Sequence, residues 1–224
     1  MSLKSLLNSK KNNMTNSNYI VLLASLIFLL IASPFFEKGS FEGNMMDICF
    51  LVIMLISVLV VNGNKYKTFF TLLLLLPILS RLFIESHLNP VTTAITASFF
   101  AYMIYLMIID LFAAQKITPN IIFGSICIYL LISVFWSFIY ILIANFIPNS
   151  FNFSDSIVSR EEVSEFLYYS LSTLTTLGYG DLTATSAPAR SISVLEAVVG
   201  QIYLAILVAR FVGINISQNI NKSK

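Results

Sequence analysis

Charge is scarce in this chain. Of its 224 residues, 11% are charged, where soluble globular domains carry about a quarter. Together with 57% apolar side chains and a mean hydropathy of +0.85, that deficit excludes a soluble globular protein and implies an integral membrane protein in contact with lipid. Histidine occurs once, at His87, and cysteine twice, at Cys49 and Cys127. No spacing of His, Cys, Ser or carboxylates suggests a catalytic constellation, so the sequence argues against an enzyme and implies no cofactor. His87 stands in a short loop beside Pro90, where a solvated histidine is the plainer reading than a pH sensor. The cysteines fall in apolar stretches at different depths, so a disulfide between them is not expected. A formal net charge of +2, without a basic patch interleaved with aromatics, argues against a nucleic-acid partner.

What is present is a series of apolar runs. About 20 helical residues cross a hydrocarbon layer of roughly 30 Å, and six stretches approach that length: Tyr19 to Phe36, Met45 to Val61, Phe69 to Ile84, Val91 to Ala113, Ile121 to Ile147 and Ser191 to Ile216. The second and third are short and fit by extending into flanking residues or thinning the bilayer. The run Tyr19 to Ala32 follows Lys4, Lys10 and Lys11 and has the outline of a signal peptide. Cleavage would leave five spans with the chain ends on opposite sides, against the charge distribution below, so it is read as an uncleaved first helix. Between the last two spans, Val163 to Thr175 is apolar enough to enter the membrane but too short to cross it. Such a segment is a re-entrant helix, tolerated where its non-helical continuation is buried in protein or lines a polar path. The expected fold class is therefore an all-α membrane protein with six transmembrane helices and a re-entrant pore helix. No internal repeat is visible.

Orientation follows from lysine and arginine. With both termini cytoplasmic, Lys4, Lys10, Lys11, Lys65, Lys67, Lys116, Arg210, Lys222 and Lys224 lie inside, and Lys38, Arg81, Arg160 and Arg190 outside. Asp155, Glu161, Glu162, Glu165 and Asp181 then all lie on the outer segment before the last span, where negative charge would concentrate cations, with a solvated charge run as the alternative for the Glu161-Glu162 pair. This describes a multi-pass protein of the cell membrane. Its expected parts are a cytoplasmic N-terminal segment 1–18, a four-helix domain 19–116, a pore-type domain 117–216 and a short cytoplasmic tail 217–224.

Directly after the re-entrant helix stands Thr175-Thr176-Leu177-Gly178-Tyr179-Gly180-Asp181, preceded by Tyr168-Tyr169-Ser170-Leu171-Ser172-Thr173. Gly-Tyr-Gly alone is an ordinary turn. Here it follows an aromatic helix and sits between two runs long enough to span. Over about residues 120 to 216 the chain resembles the potassium channel pore family, in its prokaryotic six-helix form with a single pore loop. The resemblance implies a selectivity filter in which carbonyls replace the water shell of K⁺. Thr176, Leu177, Gly178 and Tyr179 would coordinate the ion, with the Thr176 hydroxyl at the inner end. Tyr168, Tyr169, Thr175, Gly180 and Asp181 would support the loop, Tyr168 by a hydrogen bond to Asp181 and Tyr179 by wedging outward. Leu177 replaces the commoner valine, and Ser172 stands where some members carry a buried acid. One loop per chain implies a homotetramer around the pore, with K⁺ as the permeant ion.

The same comparison separates this chain from voltage-gated members. A voltage sensor needs arginines about three apart on the fourth span, and Val91 to Ile109 contains neither arginine nor lysine. Strong voltage dependence is not expected. On the last span Glu196 and Gly200 share a face one turn apart. Glu196 is read as turned behind the filter toward Thr173 or Thr175, with an acid that stays wet near the outer interface as the alternative. Gly200 either bends the helix on opening or permits close packing. Below it Leu204, Val208 and Val212 form a stripe, either an apolar gate or a packing face. With only a short tail expected after Ile216, regulation is expected to act through the membrane, the first four helices, the filter or a separate regulatory subunit.

Overall fold

The computed structural model describes residues 19–33, 42–60, 89–153 and 163–222. The third expected span, the N-terminal segment 1–18, and the acidic residues Asp155, Glu161 and Glu162 lie outside these residues. The described elements run α1 (Tyr19–Ala32), α2 (Glu42–Val60), α3 (Pro90–Ala113), α4 (Pro119–Phe146), β1 (Phe151–Phe153), α5 (Val163–Leu174), β2 (Leu182–Ala184) and α6 (Ala187–Lys222). Among the described residues, three helices are long and apolar enough to cross a membrane: α3, α4 and the part of α6 from Ala187 to Gln218. Shorter apolar helices cover Tyr19–Ala32 and Ile48–Val60.

Local chemistry explains where the two central helices begin. α3 starts at Asn89-Pro90: the Asn89 side chain accepts from the Val91 amide at 2.9 Å, and Pro90 occupies a first-turn position where no amide hydrogen is needed. α4 repeats the device with Thr118-Pro119. Buried threonines in α3 satisfy their hydroxyls on the preceding turn, Thr92 and Thr93 on the Asn89 carbonyl and Thr96 on the Thr92 carbonyl. They can therefore sit in an apolar core without an unpaired donor.

α4 is the hub, packing against α1, α3, α5 and α6. From α1 it receives the buried stripe Leu22, Leu26 and Leu29. Gly124 lets the Tyr19 ring approach to within 3.4 Å of where a Cβ would stand. An aromatic stack joins the first helices to the hub, with Phe100 parallel to Phe138 at 5.7 Å and Phe50 edge-on to Phe138 at 5.2 Å. Cys49 and Cys127 are free thiols.

Two features differ from the all-helical expectation. β1 and β2 pair antiparallel, with Phe151 opposite Ala184 and Phe153 opposite Leu182. The ribbon closes the two flanks of the α5 segment, and Phe151 packs edge-on against Tyr140, Phe166 and Tyr169. α6 also runs through Lys222, into the segment read as a tail. Little of its apolar length is buried within the chain.

Candidate functional site

The Thr175–Asp181 loop hangs from the C-terminal end of α5. The last carbonyls of a helix lack intrahelical partners, and here the loop supplies them. Ser172 O accepts from the Leu177 and Gly178 amides at 2.9 and 3.2 Å, and Thr173 O accepts from the Thr176 amide at 3.0 Å. The Ser172 hydroxyl oxygen also accepts from the Gly178 amide at 3.1 Å. Ser172, which stands where some members of the resembled family carry a buried acid, thus holds the loop through both main chain and side chain, on Gly178 and Leu177.

Beyond Ser172 the backbone alternates. Thr176, Gly178 and Gly180 have φ of 60°, 57° and 82°, whereas Leu177 and Tyr179 between them are not left-handed. Glycine enters that region without penalty, but a β-branched threonine there is an outlier that its surroundings must hold. The Leu177 and Tyr179 side chains project away, 57% and 68% exposed in the chain. Most of the Tyr179 ring is therefore left uncovered by its own chain.

The far end of the loop is tied by the aromatic helix. Tyr168 donates its hydroxyl hydrogen to Asp181 Oδ2 at 2.6 Å, and the Leu182 amide donates to Asp181 Oδ1 at 3.0 Å. The Tyr168 hydroxyl holds the Asp181 carboxyl below the usual aspartate value, and the same bond pushes the Tyr168 phenol up to about 12. Tyr169 is the inner partner. Ser193 donates to Ala189 O at 2.8 Å, so the 2.7 Å contact between Tyr169 and Ser193 has the tyrosine as donor.

Behind the loop, Glu196 is 0% exposed. Its partners are Tyr140 from α4 and Ser170 from α5, both donating hydroxyl hydrogens to the carboxyl oxygens. The threonines expected in that role do not fill it. Thr175 turns its hydroxyl to the Leu171 carbonyl at 2.7 Å, the local bond a threonine past a helix end makes most easily. The Glu196 carboxyl therefore pins three helices together behind the loop.

Gly200 meets the end of α5. A Cβ on it would stand 2.3 Å from the Leu174 carbonyl oxygen, which also accepts from the Tyr129 hydroxyl at 3.2 Å. Of the two roles considered, close packing is the one seen, and α6 passes through Gly200 as one continuous helix. The next residue, Gln201, donates from Nε2 to the Thr176 hydroxyl oxygen at 3.4 Å. Leu204, Val208 and Val212 lie on the exposed side of α6 in the chain.

Residues 121–216 match a family model described as ion channel, so over this stretch, somewhat under half its length, the chain is similar to ion channels. No curated protein and no solved structure matches the chain.

Proposed function

We propose that the chain is one subunit of a homotetrameric, potassium-selective channel that conducts K⁺ passively across the cell membrane. The observation that carries this reading is the alternation at Thr176, Gly178 and Gly180. In an extended strand successive carbonyls point to opposite sides, and left-handed φ at every second residue turns them toward one side. Four such loops around an axis give stacked rings of oxygen from Thr176, Leu177, Gly178 and Tyr179, replacing the water shell of a dehydrated K⁺. The Thr176 hydroxyl serves the innermost ring, within reach of Gln201.

Several features fit a shared axis. The exposed apolar length of α6 and the exposed Tyr179 ring are surfaces that neighbouring copies cover. Asp181 keeps its negative charge at the outer end, where it draws cations in. In the full arrangement six spans hold both termini in the cytoplasm, and α5 re-enters from outside as the pore helix. α3, the fourth span, carries no arginine or lysine, so the voltage dependence of opening is weak.

The experiment is recording from purified protein in planar bilayers, with K⁺ replaced by Na⁺. The expected result is a current that reverses near the K⁺ equilibrium potential, with the preference lost in Tyr179→Asp. Absence of current, or a preference unchanged by that substitution, contradicts the reading.

A further inference from the structure

Arg210 lies deep in the apolar helix α6, in the last third of its membrane-length stretch. Its guanidinium reaches across to another helix. One terminal nitrogen shares its two hydrogens among the carbonyl oxygens of Leu111, Phe112 and Ala114 at 3.1, 2.7 and 3.0 Å, and the guanidinium carbon stands 4.7 Å over the Phe112 ring. Those carbonyls belong to the C-terminal end of α3, where unpaired acceptors and the negative end of the helix dipole collect. Within the chain α3 answers only part of this need, by the Ala114 amide donating to Leu111 O at 3.3 Å. Arg210 supplies the rest, as a C-cap borrowed from a distant helix.

The space beside this contact matters as much as the contact. An apolar cavity of about 250 Å³ separates α3 from α6, lined from α3 by Ile108 and Phe112 and from α6 by Ile202 and Ile206, with Arg210 at its edge. The two helices make little direct contact beside it. A sideways swing of the lower half of α6 meets open space, but it must pull Arg210 off the carbonyls or carry the end of α3 along.

Resting on the channel reading above, we infer that Arg210 is the positioning residue that couples the pore-lining helix to the fourth-span helix, so that the first helices bias the gate through one cap. Arg210 faces away from Thr176 and the ion path, since it bonds to α3 while Gln201 bonds to the loop. Its loss therefore alters gating and spares permeation.

The test compares Arg210→Gln, Phe112→Ala and the double variant with the parent protein in bilayers. A coupling of ordinary size corresponds to a change of about fivefold or more in the ratio of open to closed time. Both single variants should show it in the same direction, with unitary conductance and K⁺ preference unchanged. The double variant should shift no further than Arg210→Gln, because Phe112→Ala removes only the ring under the guanidinium, a part of the contact that Arg210→Gln already deletes. Arg210→Lys should retain part of the coupling, since an ammonium also caps carbonyls but cannot stack as a planar fork.

Hydrogen exchange on the same proteins in lipid nanodiscs reads the contact without current. Exchange near residues 108–116 and 206–214 should rise together in Arg210→Gln. Unchanged open probability, additive shifts, or a rise confined to one segment overturns the coupling while K⁺-selective current leaves the pore reading standing. A parent protein without K⁺-selective current overturns the pore reading, and this inference with it.

Discussion

Gly200 and the Leu174 carbonyl face each other so closely that a methyl group cannot stand between them: the Cβ position lies 2.3 Å from that oxygen. The obstacle is backbone, which cannot rotate away as a side chain does. Gly200 therefore sets how near the last helix comes to the end of α5, and through Gln201 how near it comes to Thr176. Gly200→Ala should push the helices apart and destabilise the protein by about 1–3 kcal/mol, the usual range for overpacking. A thermal unfolding midpoint equal to that of the parent would show that the helices separate freely, contrary to this packing.

Glu196 offers a comparison between isosteres. The Ser170 hydroxyl has one hydrogen for two acceptors, the Ser133 carbonyl at 2.8 Å and the Glu196 carboxyl. A Gln at 196 brings its own hydrogens to Ser170 and an oxygen for Tyr140, so Glu196→Gln should keep near-parental stability. Glu196→Ala takes away the acceptor of the buried Tyr140 hydroxyl, while Ser170 keeps the Ser133 carbonyl, and should cost about 1–3 kcal/mol. Equal unfolding midpoints for the two variants would remove the carboxyl from its clamping role.

Ser172 contributes one hydrogen bond that a substitution can delete without touching the main chain. In Ser172→Ala the Gly178 amide loses the 3.1 Å side-chain acceptor but keeps the Ser172 carbonyl. The expected loss is about 1 kcal/mol, concentrated in the loop, so currents should run down faster while expression stays unchanged. Current that persists as long as in the parent contradicts the support assigned to this hydroxyl.

In the proposed channel the Tyr168–Asp181 pair should set a pH dependence of the loop. Asp181 has a depressed value in the folded protein, so its contribution is present above the ordinary aspartate range and is lost as pH falls through the depressed value. Tyr168→Phe removes the main cause of the depression. Loss of conduction on external acidification should then begin at higher pH in Tyr168→Phe than in the parent. Superimposable pH profiles would mean that the bond does not act on the loop.

Much of this arrangement was legible as sequence because it is local. Apolar runs of membrane length predict helices at 91–113 and 121–147, and the structure has them at Pro90–Ala113 and Pro119–Phe146. The short apolar segment at 163–175 became Val163–Leu174. What sequence could not supply is which side chains meet across helices. Glu196 finds Tyr140, 56 positions away, because α4, α5 and α6 converge there, whereas the resemblance placed it against the re-entrant helix alone and so pointed to Thr173 or Thr175. Arg210 carried information only as a positive charge near the inner face, and its cap on α3 depends on a packing angle that no periodicity encodes. The β1–β2 ribbon was missed because three-residue strands lack a readable alternation.

The central claim concerns main-chain oxygens from several copies acting on one ion, and an experimental density map of the assembled protein in lipid with K⁺ tests it most directly. The account expects four copies around an axis, with discrete ion density along that axis level with the carbonyls of Thr176 to Tyr179, weakened or rearranged when Na⁺ replaces K⁺. A lone protomer in lipid, or a loop whose Gly178 and Gly180 backbone turns away from any shared axis, would contradict it.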